Sequence, residues 1–282
     1  MLRFLERYRL VKKGLASQKT RRRRSHNEVL AEMENGLWVK LTIFLAFVVG
    51  LGFLIYNGKN PQQTETFFTS LLIFLTALAQ LWINHPETYA RNSRVALVFG
   101  VCLAHLAVVK GVLLLVANGT LPHSYGPLII PYAFAPLVLS VLLGKNHGIF
   151  AAIFVSLWGS IVARREITPA FMIVISLISG FVAVFVTLQV RQRSRLLRAG
   201  FFVGLATWLL ALMFGWIGPI VPEIFGSINW SRVLMESVAT IGSGIITAIL
   251  VSGALPLLES TFRITTDISW LEAADLNHPL LK

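Results

Sequence analysis

Charge is scarce in this chain. Only 13% of its 282 residues are Asp, Glu, Lys or Arg, and just 13 of those are acidic. A soluble globular domain carries about a quarter charged residues, so that class is excluded. Cysteine is nearly absent too: Cys102 stands alone inside an apolar run, which rules out a disulfide framework and any cysteine-based metal site. Long polar stretches between apolar runs are also missing. The first such stretch, Asn57 to Thr66, has ten residues, too few for a separate domain. Hydrophobic residues fill the gap at 55% of the chain, the composition of an integral membrane protein.

The fold class expected is all-α, a polytopic membrane bundle of about eight transmembrane helices. A spanning helix needs about 20 apolar residues. Eight runs approach that length: 37–56, 67–83, 95–117, 128–143, 148–163, 170–190, 200–221 and 233–255. The fourth and fifth are short and separated only by Gly144 to His147. Pro131 and Pro136 should make the fourth the least regular, since each removes a backbone donor and crowds the preceding turn. The expected divisions are a basic cytoplasmic segment (1–36), an uncleaved anchor helix (37–56), a multi-span bundle (67–255) and a short amphipathic cytoplasmic connector (256–282).

Net charge is +12, but the cations sit beside apolar runs, where they set topology and meet anionic lipid. The expected partner is the lipid bilayer, not nucleic acid. Eleven Lys and Arg lie in the first forty residues, and Arg91, Arg94, Lys145, Arg191 to Arg198, Arg263 and Lys282 fall on the same side of an eight-span layout. The other side holds Lys59, Arg164, Arg165 and Arg232. Positive charge stays on the cytoplasmic side, so both termini are expected inside.

Ionisable residues within apolar runs are costly and mark candidate sites. His105 reads as a hydrogen-bonded packing residue. Lys110 and Glu236 fall at similar depth in the outer half and are expected to form an intramembrane polar pair. Thr240, Gly244 and Ala248 in the last run, with Gly200 and Gly204 opening the seventh, have the spacing that lets backbones approach, within a bundle or across a homodimer seam. Pro256 should end or kink the last span. Glu259, Asp267 and Asp275 lie on the connector, and His278 lacks a second metal ligand at usable spacing.

The closing stretch LPLLESTFRITTDISWLEAADLNHPLLK (Leu255 to Lys282), the arginine-rich loop RQRSRLLRAGFFVGL before the seventh run and GIITAILVSGALPLLE in the last one resemble the bacterial seven-transmembrane HD-hydrolase receptors. The resemblance runs from about Phe67 to the end. It implies an N-terminal anchor, a multi-span bundle and a cytoplasmic metal-dependent HD phosphohydrolase of the cyclic-di-AMP phosphodiesterase type. The short loop after the anchor stands where such receptors carry an extracellular domain. The HD domain's His and Asp ligands are expected downstream of Asp275 to Leu281. On this reading the 282 residues form a sensor and transmission module of a truncated or split member, with no catalytic residue, no cofactor of its own and a separate HD hydrolase as partner. A divalent metal is expected only in that hydrolase. The alternative is a transporter of a small substrate or ion. The expected location is the bacterial cytoplasmic membrane.

Overall fold

A computed structural model describes residues 34–56, 63–187, 193–218, 229–262 and 264. Every regular element among them is helical: α1 (Leu37–Ile55), α2 (Gln63–Asn84), α3 (Pro86–Ala90), α4 (Asn92–Ala117), a 3-10 turn (His123–Tyr125), α5 (Gly126–Ile129), α6 (Phe134–Leu143), α7 (Lys145–Val162), α8 (Pro169–Thr187), α9 (Arg193–Met213) and α10 (Trp230–Phe262). Seven units are long and apolar enough to cross a membrane: α1, α2, α4, the His123–Leu143 unit, α8, the Leu196–Met213 part of α9, and α10. The remaining helix, α7, matches the fifth expected run. Its first turn, Lys145-Asn146-His147, dilutes its apolarity, yet Phe150, Ala151, Val155 and Trp158 are all buried.

The fourth run breaks where its prolines lie. Pro131 falls in the gap between α5 and α6, and Pro136 occupies the first turn of α6, where its missing N–H costs no helical bond. The break is closed locally. Tyr132 donates its hydroxyl to the Pro127 carbonyl at 2.7 Å, and the Ala135 N–H at the start of α6 reaches His105 Nδ1 on α4 at 3.4 Å. Non-helical backbone persists inside a bundle only where protein covers it, and Ile130, Tyr132, Ala133 and Ala135 are buried. Gly144, at φ +95°, then turns the chain back, so α6 and α7 run antiparallel with Gly148 against Ser140 and Pro136.

Two kinds of contact hold the bundle together. Phe47 of α1, Phe74 of α2, Phe99 of α4 and Trp158 of α7 form an aromatic knot, with ring centroids 4.9 to 5.4 Å apart, and the Trp158 indole N–H donates to the Ser70 carbonyl at 3.3 Å. Between α9 and α10 the contact is backbone on backbone. A Cβ at Gly204 would lie 2.5 Å from the Ile241 carbonyl oxygen, and one at Gly200 would lie 2.6 Å from that of Gly244. The small residues expected at a seam therefore meet within one chain, on antiparallel helices.

Pro256 does not end the last span. Helix α10 continues through it to Phe262, 33 residues in all. Of the two expected outcomes, an end or a kink, the end does not occur: one missing bond to the Ser252 carbonyl leaves the turns on either side intact. Beyond the proline, Ser260 and Thr261 both donate to the Leu257 carbonyl, at 2.9 and 2.7 Å. Leu258, Phe262 and Ile264 pack back against the bundle core.

Candidate functional site

Along one face of α10 stand Glu236, Thr240, Ser243 and Thr247, all buried. Their spacing of four, three and four residues places them on one helical stripe, and α10 packs against α4, α5, α6 and α9. Polar groups out of water need partners, and the hydroxyls find them in their own helix. Thr240 donates to the Glu236 carbonyl (2.7 Å), Ser243 to that of Thr240 (2.8 Å) and Thr247 to that of Ser243 (2.6 Å). None of these three bonds ties α10 to a neighbour.

Glu236 is the charged head of the stripe. Its Oε1 accepts from Arg232 Nε at 2.8 Å, one helical turn toward the start of α10, while Oε2 has no hydrogen-bond partner among the described residues. This corrects the expected pairing with Lys110. Similar depth on two helices does not make two side chains meet, whereas an Arg four residues before a Glu on one helix is a neighbour by geometry. Lys110 lies instead within electrostatic reach of Arg165 and Glu166, in the turn after α7. The Arg232–Glu236 spacing was present in the sequence and was the signal to read.

The same end of the bundle, where α4 and α7 finish and α10 starts, carries further polar contacts. Glu166 lies 3.9 Å from His123, Arg164 donates to Thr66 Oγ1, and Arg232 is electrostatically coupled to Tyr125. Trp208 of α9 packs in the same apolar cluster as Val233 of α10, and its indole N–H has no partner among the described residues. His105, midway along α4, is fully buried and uses Nδ1, while Nε2 has no partner among the described residues.

At the opposite end, α1, α3, α4 and α7 are pinned together. Lys40 donates to the Tyr89 carbonyl at 2.7 Å and sits 4.2 Å from the centre of that ring, and Asn92 donates to the Gly36 carbonyl at 2.8 Å. Thr88 Oγ1 is 2.8 Å from His147 Nε2, and the His147 ring lies 4.3 Å from that of His85. Burial lowers the His147 pKa to about 4, with the neighbouring His85 and Arg94 adding repulsion; burial lowers that of His85 as well. Nothing in the sequence signals that these two histidines, 62 residues apart, come together. Of the connector residues, Pro256 and Glu259 lie on α10, and Asp267, Asp275 and His278 fall outside the described residues. No group of three or more His, Cys, Asp or Glu side chains suited to a metal ion occurs among the described residues.

Comparison with known proteins gives this geometry a context. A family model described as "7TM receptor with intracellular HD hydrolase" matches residues 62–266. Two curated relatives are both named cyclic-di-AMP phosphodiesterase PgpH. The one from Listeria monocytogenes serotype 1/2a (strain 10403S) is 27% identical over 230 residues, covering 81% of this chain and 31% of the relative. The one from Bacillus subtilis (strain 168) is 22% identical over 232 residues, covering 81% and 32%. The chain thus spans about a third of the length of these curated relatives. No solved structure matches.

Proposed function

The chain belongs to the 7TM receptors with intracellular HD hydrolase, and on that premise we propose that its bundle is a sensor and transmission module for a cyclic-di-AMP phosphodiesterase domain. One observation carries the reading: α10 is a single 33-residue helix whose buried hydroxyls, on Thr240, Ser243 and Thr247, all bond within the helix itself. At about 50 Å it is longer than the hydrocarbon layer of about 30 Å. A rod of that length joins the end bearing Glu236 to the end bearing Pro256 and Glu259. It can shift against its neighbours without exchanging the hydrogen bonds of Thr240, Ser243 and Thr247. The family match closes at residue 266, just past Phe262 at the end of this helix.

The 282 residues themselves hold no phosphodiesterase centre in this reading, because the resemblance places the HD ligands beyond Leu281. The connector, including Asp267 and Asp275, passes motion of α10 to a hydrolase domain. Charge distribution supports a cytoplasmic membrane location with both termini inside. Transport is the weaker reading: among the described residues, the paired broken helices of transporters have one counterpart, at Ile130 to Ala133.

The test is a chimera in which this chain replaces the membrane region of the Listeria relative, with cyclic-di-AMP hydrolysis as the readout. Gly204→Leu at the α9–α10 contact should change the rate several-fold while the 282-residue chain alone shows no hydrolysis. A chimera whose rate ignores the α9–α10 contact, or metal-dependent hydrolysis by the chain alone, overturns the proposal. Reporter fusions after Asn118 should read external, and fusions after Lys145 and Lys282 cytoplasmic.

A further inference from the structure

We propose that the start of α10 is a binding site for a small zwitterion of the amino-acid class, its ammonium group on Glu236 and its carboxylate toward Arg232. Among the described residues, the inside of the site lacks a second donor. Glu236 is fully buried, and only Oε1 is engaged. The hydroxyl one turn along, Thr240, has spent its proton on the Glu236 carbonyl. A buried carboxylate oxygen left without a donor is destabilising, and an ammonium group removes that cost.

The rim has the opposite need. Arg232 is 61% exposed in its side chain and uses Nε on Glu236, leaving the rest of the guanidinium turned outward. At the same end of the bundle Lys110 interacts electrostatically with Arg165 and Glu166. A simple amine would satisfy Glu236 and add to the positive rim. A simple anion would suit the rim and face Glu236. Only a molecule carrying both groups a few ångströms apart answers both. Its side chain meets the apolar cluster in which Val233, one residue after Arg232, packs with Leu128, Ala211 and Ile217. That occupancy bears on signalling rests on the transmission role proposed above; binding itself does not.

The full chain in lipid nanodiscs is melted with L-alanine, propylamine or propionate. L-alanine should raise the melting temperature saturably, by about 3–5 °C near saturation, with propylamine and propionate giving little. Glu236→Gln and Arg232→Gln should each raise the half-saturating L-alanine concentration about ten-fold or more. The proposal is overturned if L-alanine gives no saturable rise, if propylamine alone matches it, or if Glu236→Gln leaves the response intact. Should Glu236→Gln fail to fold, the three probes compared on the wild-type chain decide the matter alone. Failure here with a responsive hydrolase chimera removes the ligand and keeps the transmission module; the reverse result does the opposite.

Discussion

The aromatic knot and the glycine seam solve the same packing problem in opposite ways. At the knot, Phe47, Phe74, Phe99 and Trp158 come from four helices and fill the space between them with interlocking rings, and one indole N–H fixes Trp158 to the α2 backbone. At the seam, Gly200, Gly204 and Gly244 leave nothing between α9 and α10 but backbone. Interlocked side chains admit one arrangement and resist displacement. Smooth backbone surfaces have no knobs to climb over, and the stripe on α10 adds no hydrogen bond from Thr240, Ser243 or Thr247 to a neighbour. The division sets a frame of α1, α2, α4 and α7 locked by side chains beside an α9–α10 pair joined backbone on backbone, with α9 also tied to α8 through Ser179 and Thr207.

The largest effect is expected in the frame. Trp158→Ala removes a ring buried to 1% exposure together with its indole hydrogen bond to the Ser70 carbonyl. It should destabilise the detergent-solubilised chain by about 3–5 kcal/mol, seen as a steep fall in melting temperature. An unchanged melting temperature would show that the knot is not a structural anchor. Next comes the seam. Gly244→Ala places a methyl group against Gly200 O and Gly204 N and should cost about 1–3 kcal/mol by forcing the helices apart. Gly242→Ala, two residues away and facing open space, is the control and should be silent. Equal effects at the two positions would dissolve the distinction between seam and surface.

Much of the frame was legible in the sequence. Hydropathy located each long helix, because the bilayer leaves few other ways to place 20 apolar residues, and Pro131 with Pro136 marked the broken one correctly. What escaped depended on side chains meeting across helices. His85 and His147 are brought together by the α2–α3 elbow and the Gly144 turn, and neither has a periodic signature. Lys110 and Glu236 were matched by depth alone, which says nothing about rotation around a helix axis. Arg232 with Glu236 is the pair that local geometry supplies, since the two lie four residues apart on one helix. Pro256 was read through its local cost, although the helix around it carries on regardless.

The charged head of α10 gives a smaller effect that separates the two pairings. A double-mutant cycle of Arg232→Gln and Glu236→Gln should show coupling of about 1 kcal/mol in melting experiments, above an ordinary exposed i,i+4 pair because one partner is fully buried. The cycle of Lys110→Met with Glu236→Gln should be additive. Coupling in the second cycle and none in the first would restore the cross-helix pair.

The smallest effect lies at the pinned end and depends on pH. His147 has its pKa lowered to about 4 by burial, with His85 and Arg94 opposing its charge, and the unfolded chain restores it to about 6.5. The folded state therefore disfavours the proton that the unfolded state accepts. Stability from this source is full above about pH 6.5 and falls as pH drops toward about 4, because the unfolded chain takes up a proton that the folded chain refuses. His85, lowered in the same direction, adds to the slope. His147→Gln can keep a hydrogen bond to Thr88 while removing the titrating group, so its melting temperature should fall less steeply over that interval than the wild type's. Parallel curves for the two proteins would mean that His147 does not link the pinned end to pH. The frame would then owe none of its acid sensitivity to the contact between α3 and α7.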